Sequence, residues 1–331
     1  MTTYKQLVLA SRPKDQLVPE NFRLETVTAP FLKEGEVLVR NHYLSLDPYM
    51  RRRMDEGRSY AAPQALDEVM IGGTAGEVVE SKNPRFAVGD KVIGMLGWAE
   101  MGVADGAQLN KVDASQVPLS AYLGVVGMPG MTAWYGLNQI IQPKDGETIV
   151  VSAASGAVGS AVGQLAKLRG CRAIGIAGGA EKCAYVVNEL GFDACIDYKA
   201  GTLAADLKAA TPKGIDGIFE NVGGEIFDAC LARMNPFGRI ALCGLISAYE
   251  NKPAPLQNVH QFLVMRLTLR GFIVSEHLDF WPQGLKELGT LVASGKLKYR
   301  ESVAQGLEAA PEAFIGLLKG RNFGKQLVKL I

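Results

Sequence analysis

Cysteine is absent from the first 170 residues of this 331-residue chain, and only three histidines occur in the whole of it. The five thiols, Cys171, Cys183, Cys195, Cys230 and Cys243, form no CxxC pair and fall in segments that read as strand or helix interiors. They read as reduced core thiols rather than metal ligands or nucleophiles. An excess of either charge is missing too. With 35 Lys and Arg against 34 Asp and Glu, no long-range field exists to gather nucleic acid or an anionic membrane. No apolar run of about 18 residues occurs, and Met1–Ala10 lacks the apolar stretch of a signal peptide. The expectation is a soluble, cytoplasmic chain. Arg51-Arg52-Arg53 reads as a solvated or ion-paired face.

What is present is the composition of an α/β protein: 48% hydrophobic, 21% charged, with 38 glycines. The length favours two domains. Residues 1–124 hold short apolar runs (Gln6–Ala10, Glu36–Arg40, Gly76–Glu80, Lys91–Met95) separated by Gly, Pro, Asn and Asp, with almost no helical periodicity. That spacing predicts a small β-barrel or sandwich. From residue 125 to about 295 the pattern becomes strand and helix in alternation. The strands Thr148–Val151, Arg172–Ile176, Ala194–Ile196, Gly217–Phe219 and Arg239–Leu242 are apolar enough to be buried on both faces, as in a doubly wound parallel sheet. Helices Ala157–Arg169 and Lys182–Leu190 are expected between them, each stopped by a glycine, Gly170 or Gly191. Residues 296–331 end in an apolar strand, Gly324–Leu330, expected to rejoin the first domain.

A dinucleotide site is predicted where Ser152-Ala153-Ala154-Ser155-Gly156-Ala157-Val158-Gly159 follows a buried strand and opens a helix. Pyrophosphate would rest on the N–H groups of that helix N-terminus. Ala154 replaces the first glycine of GxGxxG. The second strand runs out in Ile176-Ala177-Gly178-Gly179-Ala180-Glu181-Lys182. A glycine tip leaves room for a 2′-phosphate and Lys182 supplies a cation, which favours NADPH. Glu181 would favour NADH in a tighter turn.

These segments also carry a resemblance. Ala153–Ser160, Gly191–Ala194, Phe237–Tyr249, Gly271–Val274, Leu44–Arg51 and Lys319–Lys325 resemble the prostaglandin reductase (leukotriene B4 12-hydroxydehydrogenase) branch of the medium-chain dehydrogenases/reductases, which includes bacterial curcumin reductase. The resemblance implies a GroES-like β-barrel catalytic domain built from both chain ends and a Rossmann domain binding NADPH/NADP+, within a homodimer. It further implies cofactor contacts from Ala153 to Gly156, Lys182, Tyr198, Asn221, the loop Cys243-Gly244 to Tyr249, Phe272-Ile273-Val274, and Asn322. Ala248, where relatives often carry Thr or Gln, departs from the pattern.

The zinc alcohol dehydrogenases of that superfamily hold their metal with Cys and His, whereas the first domain here offers only His42. No metal is therefore expected. A metal-free hydride transfer suits a conjugated carbonyl: hydride adds to the β-carbon, charge moves to the oxygen, and the α-carbon takes a proton. A phenol is a fitting donor, since its pKa near ~10 keeps it protonated. Tyr249 is the first candidate and Tyr49 the second. The expected function is NADPH-dependent reduction of the C=C bond of α,β-unsaturated ketones and aldehydes. Quinone reduction, and a non-catalytic NADPH-binding role like that of zeta-crystallin, remain as alternatives.

Overall fold

The computed structural model describes residues 2–249 and 255–331. The chain divides into two compact units, one formed by Met1–Gly124 with Glu301–Ile331, the other by Val125–Arg300.

In the second unit six strands form one parallel sheet. Across it they run Ala194–Asp197, Arg172–Ala177, Thr148–Ser152, Ile215–Glu220, Met234–Leu242 and Thr268–Gly271. The first strand in sequence thus lies third in space, and the order reverses beside it, between Thr148–Ser152 and Ile215–Glu220. Ligands of such sheets bind beyond the carboxyl ends of the strands at that reversal. Every residue of Thr148–Ser152 is buried, because neighbouring strands saturate its backbone and helices cover both faces. Val150 sits in register with Ile174 on one side and Ile218 on the other. The three share a core with Ile176, Leu207, Cys230 and Ile240. The helices occupy Gly159–Leu168 and Ala180–Asn188, shifted by up to two residues from the expected bounds. Gly170 and Gly191 follow them at φ of 76° and 74°. Cys171 and Cys230 are buried, whereas Cys183, Cys195 and Cys243 are only partly so.

In the first unit, the path Glu301–Gln305, Lys325–Lys329, Glu36–Ser45, Thr74–Ser81, Lys91–Gly94, Asn110–Lys111 makes up a mixed sheet, with Met101–Asp105 also pairing Glu36–Ser45. The terminal strand lies antiparallel to Glu36–Ser45, Leu327 opposite Ser45. Thr3–Leu9 and Phe22–Thr28 form a separate ribbon. Trp98 centres the core, stacked on Phe22 at 5.0 Å and edge-on to Phe314 at 5.6 Å. Two features depart from the sequence reading. Pro48 starts a short helix, Tyr49–Arg53, in a segment with little helical pattern. Its Arg51 is fully buried, 2.5 Å from Asp55, and only Arg52 of the three arginines is exposed. Lys325 is also buried, donating to the Leu46 carbonyl at 2.6 Å and to Asp47 Oδ1 at 2.8 Å. The Ser45 hydroxyl takes the other Asp47 oxygen.

Candidate functional site

The dinucleotide turn begins where the buried first strand ends, at Ser152. Ala153 adopts φ of 51°, a left-handed conformation that costs an L-residue roughly 1–2 kcal/mol. The bend expected of a first glycine is therefore made one residue earlier. Ala154 is fully buried, and its N–H donates to the Ile176 carbonyl at 3.0 Å, tying the turn to the second strand. The Gly156 N–H closes the turn onto the Ala153 carbonyl at 2.9 Å. A Cβ on Gly159 would fall inside contact distance of the Ala153 carbonyl oxygen and 2.9 Å from its carbon, so only glycine fits there. The ten-residue helix Gly159–Leu168 starts at that point, with Ala157 and Val158 in the turn before it. Its Ser160, Ala161 and Val162 N–H groups donate to the Gly156 and Val158 carbonyls at 3.0–3.1 Å, so a pyrophosphate would rest on the amides of the turn itself, at the positive end of the helix.

At the tip of the second strand, a Cβ on Gly178 would stand 2.9 Å from Tyr198 Cε1 and 3.0 Å from Lys199 Cε. The bare glycine leaves this cradle open. Lys182, in the first turn of the following helix, has its ammonium pushed below the usual range by burial and by Lys199, with Glu181 acting the other way. Two cations thus converge beside a phenol. The nearest third-strand carboxylate, Asp197, is engaged by the Gly179 and Lys199 N–H groups at 2.8 and 3.0 Å, which hold it below the ordinary range. The group suits a phosphate monoester on the ribose better than a free 2′-hydroxyl. Lys199 escaped the sequence reading. The signal was the Asp-Tyr-Lys that closes the third strand, whose end pairs with that of the second at Asp197 and Ala177.

At the reversal point the Ser152 hydroxyl donates to Glu220 Oε1 at 2.9 Å and accepts from the Asn221 N–H at 2.8 Å. The Asn221 side chain donates to the Ser152 carbonyl at 2.8 Å. The loop after the fifth strand rests on this turn: Ile246 and Ser247 N–H groups donate to the Asn221 and Val222 carbonyls at 3.2 and 3.0 Å. That loop carries Gly244 and Tyr249, whose hydroxyl lies 3.6 Å from where a Gly244 Cβ would be. Burial pushes the Cys243 thiol up to about 12, with a contribution from Glu220, so it stays protonated. Phe272 is buried edge-on to Phe219 at 6.2 Å and tilted against Tyr135 at 5.6 Å. Ile273 and Val274 follow it, and the Val274 carbonyl accepts from Trp281 Nε1 at 3.3 Å.

Residues Ala153 to Gly159, Lys182, Tyr198, Asn221, Cys243, Gly244, Tyr249 and Phe272 to Val274 all belong to the second unit. Tyr49 and Asn322 belong to the first. Burial and the Asp47 carboxylate push the Tyr49 phenol well above the usual range. The Asn322 side chain donates to the Gly324 carbonyl at 2.8 Å. Among the described residues, no three His, Cys, Asp or Glu side chains are gathered as a metal-ligand set, and no helix is long and apolar enough to cross a membrane.

Residues 5–112 match the family described as N-terminal domain of oxidoreductase, and residues 157–290 the family described as zinc-binding dehydrogenase. Over 334 residues the chain is 48% identical to the NADPH-dependent curcumin reductase of Escherichia coli (strain K12), covering 98% of this chain and 96% of that protein. It is 43% identical over 332 residues to the NADP(+)-dependent 2-alkenal reductase of Nicotiana tabacum, with coverage of 98% and 96%. The crystal structure of CurA in complex with NADPH from Vibrio vulnificus superposes with a TM-score of 0.94 at 46% identity, covering 99% of each chain.

Proposed function

The chain belongs to the medium-chain dehydrogenases/reductases, in the zinc-free branch of the curcumin and prostaglandin reductases, and on that premise we propose that it is an NADPH-dependent reductase of the C=C bond in α,β-unsaturated ketones and aldehydes. The observation that carries this reading is end-to-end similarity to two reductases named for curcumin and for 2-alkenals. Both substrates present a double bond conjugated to a carbonyl.

Ala153 to Gly159 would hold the pyrophosphate, and Lys182, Lys199 and Tyr198 the 2′-phosphate. When bound, NADPH supplies the hydride for the β-carbon. The work left to the protein is to orient the enone, stabilise the negative oxygen and deliver a proton to the α-carbon. We assign the proton-donating role to Tyr249 first and to Tyr49 second. A phenol suits the role because its ordinary pKa near ~10 lies well above neutral pH. Phe272 to Val274, backed by the ring cluster of Phe219 and Tyr135, would form the wall beside the nicotinamide. A homodimer fits the exposed edge strand Thr268–Gly271 and its neighbours Leu263 and Val264, 82% and 51% exposed. A cytoplasmic location fits the five unpaired thiols.

The test is NADPH oxidation at 340 nm with a medium-chain 2-alkenal, 4-phenyl-3-buten-2-one, a quinone and a saturated aldehyde, with NADH in parallel. Enone turnover giving a saturated ketone, with NADPH preferred, is expected. Turnover of the quinone alone would replace this reading by quinone reduction. Turnover of the saturated aldehyde would refute double-bond chemistry, and bound NADPH with no turnover would leave a binding protein.

A further inference from the structure

Glu220 is a fully buried carboxyl at the reversal point of the parallel sheet, and no step of the proposed chemistry uses it. One of its oxygens, Oε1, accepts three hydrogen bonds: from the Ser152 hydroxyl at 2.9 Å, the Val222 N–H at 2.6 Å and the Gly223 N–H at 2.7 Å. The other, Oε2, is buried without a partner among the described residues. Such an arrangement is costly to place in a core, so the three-donor oxygen must do something that an apolar side chain would not. What it does locally is fold the chain back on itself. The end of the fourth strand and the three residues after it are wrapped around a single acceptor, with Val222 and Gly223 as the donors. Ser152 passes the same constraint to the end of the first strand, because its hydroxyl also accepts from the Asn221 N–H.

The turn so held is the seat of two other groups. Asn221 points its amide at the Ser152 carbonyl, at the crevice where a nucleotide of this sheet type lies. The loop that leads to Tyr249 hangs on the turn by three hydrogen bonds, to the Asn221 carbonyl from the Ile246 N–H and to the Val222 carbonyl from the Ser247 N–H and hydroxyl. The Glu220 carbonyl anchors the start of that loop, accepting from the Cys243 and Gly244 N–H groups at 2.9 and 3.1 Å.

We propose that Glu220 is a positioning residue, whose carboxyl fixes the Asn221–Gly223 turn and through it sets both the Asn221 amide against the cofactor and the loop that carries Tyr249. The assignment rests on the reductase reading for the role of Tyr249, but not for the turn itself. Burial drives the carboxyl upward in pKa, and the Gly223, Val222 and Asn221 N–H groups and the Ser152 hydroxyl draw it part of the way back. The neutral acid keeps Oε1 as an acceptor, so the turn survives in either protonation state.

The experiment compares Glu220→Ala, Glu220→Gln and, as a stability control at the opposite end of the sheet, Glu147→Gln, which breaks the Arg239 pair. Three readouts are taken: NADPH Kd by fluorescence titration, hydrogen exchange at the Val222 and Gly223 amides without cofactor, and kcat separately from KM. Glu220→Ala is expected to speed exchange at those two amides and weaken NADPH binding, each by about tenfold or more, because buried donors lose their acceptor, and to lower kcat. Glu220→Gln, which keeps an acceptor oxygen at the same volume, should recover most of all three. Should Glu220→Ala prove insoluble, Ser152→Ala serves in its place: it removes only the link to the first strand and should weaken NADPH binding while Val222 and Gly223 stay protected. Unchanged exchange and Kd in Glu220→Ala, or losses no greater than those of Glu147→Gln, would overturn the proposal. Because exchange and Kd need no substrate, they judge Glu220 even if enones prove not to be substrates.

Discussion

Replacing Lys325 by Met gives the sharpest test of how the first unit is held together. Lys325 and Asp47 are both buried, at 4% and 8% side-chain exposure, 2.8 Å apart. The substitution removes the ammonium, strips the Leu46 carbonyl of its donor, and leaves the Asp47 carboxylate with the Ser45 hydroxyl. Breaking one partner out of a buried pair costs about 3–5 kcal/mol, since the remaining charge is left uncompensated. At about 2–4 °C per kcal/mol for a unit of this size, that is a fall in Tm of roughly 6–20 °C. Glu301 adds to the effect, because its half-buried carboxyl is pushed up by burial and drawn down by Ser120 and by Lys325. Differential scanning calorimetry of the intact protein would follow the transition. In the double variant Asp47→Asn/Lys325→Met no charge is stranded, so at least half of the lost stability should return. A single variant melting within about 2 °C of the parent, or a double variant no better than the single, would refute the reasoning.

Gly159→Ala drives a Cβ into the Ala153 carbonyl, where only backbone can yield, and should raise NADPH Kd by about tenfold or more, read by fluorescence titration; an unchanged Kd would mean that the turn is not the pyrophosphate site. Lys182→Ala and Lys199→Ala should each weaken NADPH by about 10–100-fold, the worth of one hydrogen bond to a charged group, while leaving NADH affinity nearly unaltered. Equal loss for both nucleotides would dismiss the 2′-phosphate assignment. Burial raises the Tyr49 phenol, so its proton is retained at every pH below the ordinary phenol range near ~10. The rate ratio of wild type to Tyr49→Phe should then be the same at pH 7 and pH 9, and a ratio that collapses by pH 9 would contradict it.

Much of the nucleotide unit was legible because its signals are local. Strands such as Thr148–Ser152 announce their burial by composition, and the turn after it by small residues at fixed spacing. What escaped detection depends on partners distant in sequence. Lys325 and Asp47 are 278 positions apart, and each alone reads as a surface charge. Arg51 sat in a run of three like charges, where periodicity is too short to show that one face turns inward. Glu220 carries no local signal, standing one residue beyond the apolar run Gly217–Phe219. Its burial follows from the neighbouring strands and from Ser152, 68 residues earlier. Lys199 reaches the second-strand tip only because the third strand lies beside the second in parallel, an adjacency that no spacing in the sequence encodes. Ala153 concealed its role in another way, since a residue with a Cβ is uncommon at a positive φ and alanine gives no signal of one.

The terminal strand Lys325–Lys329 lies between Glu301–Gln305 and Glu36–Ser45 and carries the lysine that neutralises Asp47. During synthesis the ribosome delivers that strand after the whole of Val125–Arg300. The residues of the nucleotide-binding unit therefore leave the ribosome before it, whereas the earlier segment must wait, with Glu36–Ser45 lacking one neighbour and a carboxylate lacking its counterion. The waiting interval is the vulnerable period for this chain. A stalled or prematurely terminated product would combine a finished nucleotide unit with an open sheet edge, a natural target for chaperones and proteases.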